Sequence, residues 1–192
     1  MKKFFLAVNF TLFTLSLVFA QDSYKKEVAW MGLDFTEAKL LTSVDFTDPA
    51  AIKNNLLVSW NDIIIKESSK FDVAGFFEIK NLSYDLETVK ERNQSIDPDK
   101  LVVDKTSEEF DEQKVESIIS QYPKSTGVGL VFIVETFNKP SANGIFWATF
   151  FDRETLKILS VKKLQGQPSG VGIRNFWANS IFKAMKSNGG KK

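Results

Sequence analysis

Apolar and polar positions divide this 192-residue chain into stretches of different period, and the first stretch is set apart from the rest. Phe4 to Phe19 is apolar except at Asn9, Thr11, Thr14 and Ser16; Lys2 and Lys3 precede it, and Val18-Phe19-Ala20 has small residues where a signal peptidase reads. The pattern predicts an export leader over residues 1–20, cut before Gln21. A membrane anchor is the competing reading, but about twenty predominantly apolar residues are needed to span a bilayer. This run is shorter and interrupted, so no membrane span is expected after cleavage. With no cysteine at its end, a lipid-anchored form is excluded.

Beyond the leader the periods predict alternating elements. Val28 to Phe35 is a mostly apolar run too short for a globular helix, so it reads as a buried first strand, continuing loosely through Lys39-Leu40-Leu41. Asp48-Pro49 has the form of a helix start, and Ile52, Leu56, Trp60, Ile63 and Ile64 fall on one face of a helix reaching about Ser69. Tyr84, Leu86 and Thr88 alternate with Asp85, Glu87 and Val89 as in a half-exposed edge strand. Residues 93–106 read as a polar loop. Thr106 and Glu109 then form a capping box for a helix carrying Val115, Ile118, Ile119 and Tyr122, ended by Pro123.

The last third is the most regular. Gly127 to Phe137 is nearly continuously apolar, as a strand covered on both faces would be. Turns at 138–144 and 152–155 separate it from Ile145 to Phe151 and Leu156 to Leu164, which predicts an antiparallel three-stranded meander. A glycine-rich link, Gly166 to Gly172, leads to a final helix marked by Ile173, Trp177, Ile181, Ala184 and Met185. The expected fold is α+β: a mainly antiparallel sheet of about five strands with about three helices packed on one face. Residues 21–186 form its single domain, and residues 187–192, with Gly189-Gly190, form a flexible tail.

Composition narrows the chemistry. The chain has 25 Lys and Arg against 24 Asp and Glu, and loss of Lys2 and Lys3 leaves 23 against 24. Nothing in that balance favours nucleic acid. There are no cysteines, hence neither disulfides nor thiol chemistry, and no histidines. Missing histidine removes the commonest general base and metal ligand, and with it serine and cysteine hydrolases of the usual kind. Eighteen Phe and four Trp predict an aromatic core.

Four constellations remain. Gly166-Gln167-Pro168-Ser169-Gly170-Val171-Gly172 opens a helix with Arg174 in its first turn, so Gly170, Gly172, Arg174 and Asn175 could hold an anion. The spacing is that of no nucleotide loop, and glycines also serve strand-to-helix links. Asp34 and Glu135 lie in apolar surroundings and could act as paired carboxylates in a hydrolase, or as structural ion pairs. Asp97, Asp99 and Asp104 lack the glycine and glutamate of a calcium loop and read as a solvated acidic stretch. Phe146, Trp147, Phe150, Phe151, Phe176 and Trp177 could line a carbohydrate or hydrophobic pocket, with core packing the default. Asn81-Leu82-Ser83 and Asn93-Gln94-Ser95 match the glycosylation pattern. No metal site and no cofactor is expected.

Trp30-Met31-Gly32-Leu33-Asp34-Phe35, Phe150-Phe151-Asp152 and Gly172-Ile173-Arg174-Asn175-Phe176-Trp177-Ala178 together resemble segments of uncharacterised small exported proteins of bacteroidete-type bacteria. The resemblance implies a periplasmic or extracellular location and carries no known activity. The leading expectation is an exported, non-catalytic domain binding a protein or envelope component. A small-ligand or anion-binding protein using the glycine-rich link is the alternative, and a carboxylate-based hydrolase the second.

Overall fold

Every residue from Val28 to Asp34 is buried, and that burial decides the architecture. A strand hidden on both faces needs neighbours on both edges and layers above and below. The computed structural model describes residues 23–41, 46–105 and 109–189, so the leader 1–20 and Thr106 of the expected capping box lie outside the described residues. Strand β1 (Glu27–Asp34) pairs in parallel with β3 (Asn81–Tyr84) on one edge and with β5 (Val128–Asn138) on the other. Strand β2 (Lys39–Leu41) is parallel to the far end of β5, Lys39 opposite Thr136, and to the short β4 (Val102–Val103). The opposite edge of β5 is occupied along its length by β6 (Asn143–Asp152), antiparallel, and β7 (Ile158–Gly166) completes the sheet. Hence β1 and β2 are two pieces of one interrupted strand alongside β5, with the break at residues 35–38.

The expected antiparallel α+β sheet is therefore corrected. Among the described residues the sheet has seven strands, five of them mutually parallel, and the fold is α/β-like. Its antiparallel part is the meander β5–β6–β7, where it was expected. Parallel partners such as Val28 and Val128 lie about a hundred residues apart, and no local turn announces them.

Helices cover both faces, not one. On the first, Trp30, Leu33, Phe132, Val134, Phe146 and Phe150 pack against α2 (Leu57–Lys66), α3 (Val73–Phe77) and α7 (Ile173–Asn188). On the second, Met31, Val131, Ile133, Trp147 and Phe151 meet Val89 of α4 (Glu87–Gln94), Val115, Ile118 and Ile119 of α6 (Glu112–Ile119), and Tyr122.

Local chemistry accounts for the boundaries. Asp48 accepts a hydrogen bond from Ala51 N at 2.8 Å, with Pro49 first in α1 (Pro49–Ala51). A π-helical segment, Ile52–Leu56, joins α1 to α2; it shifts the buried face by a residue, so Leu57 is buried and Leu56 only half-buried. Tyr84 ends β3, and Leu86 to Val89 enters α4 rather than an edge strand, because an alternation only six residues long is also compatible with the start of a helix. The expected loop 93–106 contains α5 (Pro98–Leu101), N-capped by Asp97, and β4. Asp111 caps α6. Helix α7 continues through Asn188, whose side-chain amide donates to Phe76 O at 2.9 Å, so Ser187 and Asn188 are its last turn.

Candidate functional site

In parallel sheets ligands collect beyond the carboxyl ends of the strands, where neighbouring connections part to opposite sides. From β1 the chain runs on to β2, beside β5, and then crosses back to β3 on the other side of β1, and Asp34 is the last residue of β1. It is the natural place to look for chemistry. Its carboxylate is fully buried, yet four donors surround it. Thr36 N at 2.8 Å and the Thr36 hydroxyl at 2.5 Å donate to Oδ1; Arg92 Nε at 2.8 Å and the Tyr122 hydroxyl at 2.7 Å donate to Oδ2. The Arg92 guanidinium also lies over the Tyr122 ring, 4.7 Å from its centroid, and donates to the Thr36 hydroxyl at 3.2 Å.

A carboxylate has about four lone-pair directions, and here all are taken. Asp34 has no acceptor position left for a substrate proton or a metal ion. Tyr122 is equally committed: burial first, and then the negative charge of Asp34, push its phenol pKa well above the usual value against the opposing pull of Arg92. It stays a neutral donor.

The strand break around this cluster is closed by two asparagines. Asn61 of α2 accepts from Leu33 N at 2.7 Å and donates to Leu33 O and Leu57 O at 3.2 and 3.1 Å. Asn93 of α4 accepts from Phe35 N and donates to Leu33 O, both at 2.8 Å. Backbone groups that lose their ladder partners at the break are thereby satisfied. Asn93 is buried and fully engaged, which removes Asn93-Gln94-Ser95 as an acceptor in the folded chain; Asn81 is exposed on β3.

Glu135 sits at an irregularity of the β5–β6 pairing, between Val134 and Thr136. Its Oε2 accepts from Trp147 Nε1 at 2.7 Å and from Lys163 Nζ at 2.8 Å, while Lys163 lies over the Trp147 ring at 4.9 Å. Asp34 and Glu135 are thus held in two separate networks that share no group.

The glycine-rich link divides the four anion candidates. Gly170 and Gly172 have φ of +107° and +79°, the left-handed region that favours glycine. Arg174 turns away to α2: its Nε donates to the Ser59 hydroxyl at 2.6 Å, its Nη1 to Asn175 Oδ1 at 3.1 Å, and its carbonyl accepts from Trp60 Nε1 at 2.9 Å. A depression of about 400 Å³ is lined by Gly170 and Asn175 together with Glu67, Lys70 and Asn179, and neither Arg174 nor Gly172 lines it. Lys70 in turn donates to Asn179 Oδ1 at 3.0 Å. Arg174 fastens a helix; it does not clamp the loop.

The aromatic set is sorted by alternation. Phe146 and Phe150 point to the first face and Trp147 and Phe151 to the second, all buried; Trp177 stacks on Phe137 at 4.4 Å, and Phe176 is half-buried under Lys139. Asp97 is engaged as a helix cap, and among the described residues no group of three or more His, Cys, Asp or Glu could hold a metal ion. Arg92 and Tyr122 escaped the sequence reading because one lies in a stretch read as the approach to a loop and the other fitted a helical stripe. No described helix is long and apolar enough to cross a membrane. No protein family, no curated protein and no solved structure matches the chain.

Proposed function

We propose that the protein is an exported, non-catalytic α/β domain that binds a partner protein or a component of the cell envelope. The observation that carries the reading is the saturation of Asp34: this fully buried carboxylate at the carboxyl end of β1 has four donors and no free lone pair. Glu135 is paired with Lys163 and Trp147, and the chain has neither histidine nor cysteine to take over as base or nucleophile. The leader pattern at residues 1–20 supplies the destination.

The test has two arms. Mass spectrometry of the protein from its producing cells should find a chain beginning at Gln21 in the periplasm or medium. That chain should bind saturably to isolated envelope, or cross-link in the intact cell to one envelope protein. A chain that keeps Met1 to Ala20 and faces the cytosol overturns the location. Turnover of a substrate that is lost in both Asp34→Asn and Glu135→Gln variants, each still folded, overturns the non-catalytic assignment.

A further inference from the structure

Ala148 stands between two phenylalanines on the first face of β6, and the volume it leaves empty has not been filled by its neighbours. A pocket of about 270 Å³ opens there, bounded by the 3₁₀ turn Ser23–Lys25, α3, β6, β7 and the end of α7. Its floor is buried and apolar: Phe77, Ala148 and Phe150, with Phe150 edge-on to Tyr24 at 5.2 Å and to Phe77 at 6.0 Å between ring centroids. Strand register places the polar rim. Ser160 is opposite Phe150 and Lys162 is opposite Ala148, so hydroxyl and ammonium stand beside the floor on the same face.

The rim is a set of donors. Neither the Lys162 ammonium nor the Ser160 hydroxyl is engaged with another described residue, and the Tyr24 hydroxyl is likewise open. Lys25 adds a second positive charge that is itself engaged, with Glu78 at 3.6 Å among its partners. Among the described residues no carboxylate lines this pocket. Three other depressions each include one: Glu27 in the groove between β1 and β3, Asp48 beside α1, and Glu67 beside the glycine-rich link. An aromatic floor, a cationic rim and no competing anion are what a small acid with an apolar body requires.

We propose that this pocket binds a small organic carboxylate with a flat apolar body, the ring or chain lying on Phe77 and Phe150 and the carboxylate held by Lys162 with the hydroxyls of Ser160 and Tyr24. The volume is just under the range of about 300–1,000 Å³ that accepts drug-sized ligands, which limits the occupant to a small molecule. One unengaged ammonium with neutral hydroxyl donors matches a monoanion better than a dianionic phosphate. The assignment goes beyond the proposed function and stands whether or not the chain is exported.

Amide NMR titration of the purified chain tests it, with phenylacetate as probe and its neutral analogue phenylacetamide and phenyl phosphate as comparisons. Phenylacetate should give saturable shifts confined to the neighbourhood of Tyr24, Lys25, Ala148, Ser160 and Lys162. The neutral amide should bind about five- to tenfold more weakly, as should phenylacetate to Lys162→Gln, the loss of one charge-assisted contact. Lys183→Gln, on the exposed side of α7, keeps the same net charge as Lys162→Gln and should bind as the parent does. Shifts that are absent, scattered, equal for acid and amide, or unmoved by Lys162→Gln overturn the proposal. Tighter binding of phenyl phosphate than of phenylacetate overturns the carboxylate assignment.

Discussion

Arg92 Nε lies 2.8 Å from Asp34 Oδ2, and the pair joins a helix on the second face of the sheet to the last residue of the first strand. Asp34 is wholly buried and the Arg92 side chain is 15% exposed, so water screens the interaction little. Removing one member of such a pair leaves the other's charge stranded, which typically costs about 3–5 kcal/mol. Arg92→Ala should therefore destabilise by about 3 kcal/mol, the lower end, because Tyr122 and Thr36 still solvate Asp34. An Asp34→Leu, Arg92→Leu double variant should lose less than the two single losses added together. Urea denaturation of the four proteins forms the cycle, and simple additivity would mean that the pair does not act as a unit.

Tyr122 makes stability depend on pH at the alkaline end. Its phenol pKa is raised in the folded chain, by burial and by the Asp34 charge, above the value of about 10 that it has when unfolded. The folded state thus holds this proton more tightly than the unfolded state does. The associated stability is fully present below about pH 10 and declines as pH climbs from there towards the folded pKa. Tyr122→Phe should remove this alkaline slope. At neutral pH it should lower stability by about 1.5–3 kcal/mol, the range for a hydrogen bond to a charged group. Denaturation followed between neutral and strongly alkaline pH checks both, and an alkaline slope equal in the two proteins would count against it.

How much of this was legible in the sequence depended on whether the determining contact was local. Asp48-Pro49 announced a helix because cap and proline act within one turn, and the meander announced itself because its turns are short. Asp97-Pro98 carried the same signature and also starts a helix, but its surroundings were too polar to suggest one. The parallel pairing of β1 with β5 was hidden in a different way. Val28 to Leu33 is as continuously apolar as Val128 to Val134, and a run covered on both faces is the mark of an interior parallel strand; the meander alone had suggested an antiparallel sheet. Of the candidate sites, Asp34 was visible as a carboxylate in apolar surroundings, whereas its four donors come from positions up to 88 residues away. Arg174 could be seen at a helix start, but not its turn towards Ser59.

Asn61 should prove as important to the fold as any apolar residue. Its amide serves both the N–H and the C=O of Leu33 beside the strand break, and Gly32, at φ +102°, leaves the space its Oδ1 occupies. Asn61→Ala would leave the Leu33 N–H buried without its partner, for which about 1–3 kcal/mol is typical, and would open a small cavity. A loss of about 3 kcal/mol is expected. Asn61→Asp keeps the acceptor but loses the donor and brings a charge, so it should fare no better. Thermal unfolding of the two variants measures this, and a loss under 1 kcal/mol for Asn61→Ala would show that water replaces the side chain.

Two glycines of unlike setting separate steric need from backbone conformation. Gly166, at the end of β7, lies so close to α7 that a Cβ there would collide with the Ser180 carbonyl oxygen and approach Ala184 N, both backbone atoms that cannot move aside alone. The Ser180 hydroxyl donates to Gly166 O at 2.6 Å and holds strand and helix at that spacing. Gly127, entering β5 at φ +85°, has open space where a Cβ would be. Gly127→Ala should therefore cost only the left-handed backbone penalty of about 1–2 kcal/mol. Gly166→Ala must push α7 off the sheet, and overpacking of this kind costs about 1–3 kcal/mol or more. Because α7 carries Trp177, Ile181, Ala184 and Met185 into the core, the effect should spread. Hydrogen exchange should speed up throughout α7 in Gly166→Ala but only near residues 125–129 in Gly127→Ala. Equal and local effects in the two variants would show that the strand–helix contact yields more readily than its geometry requires.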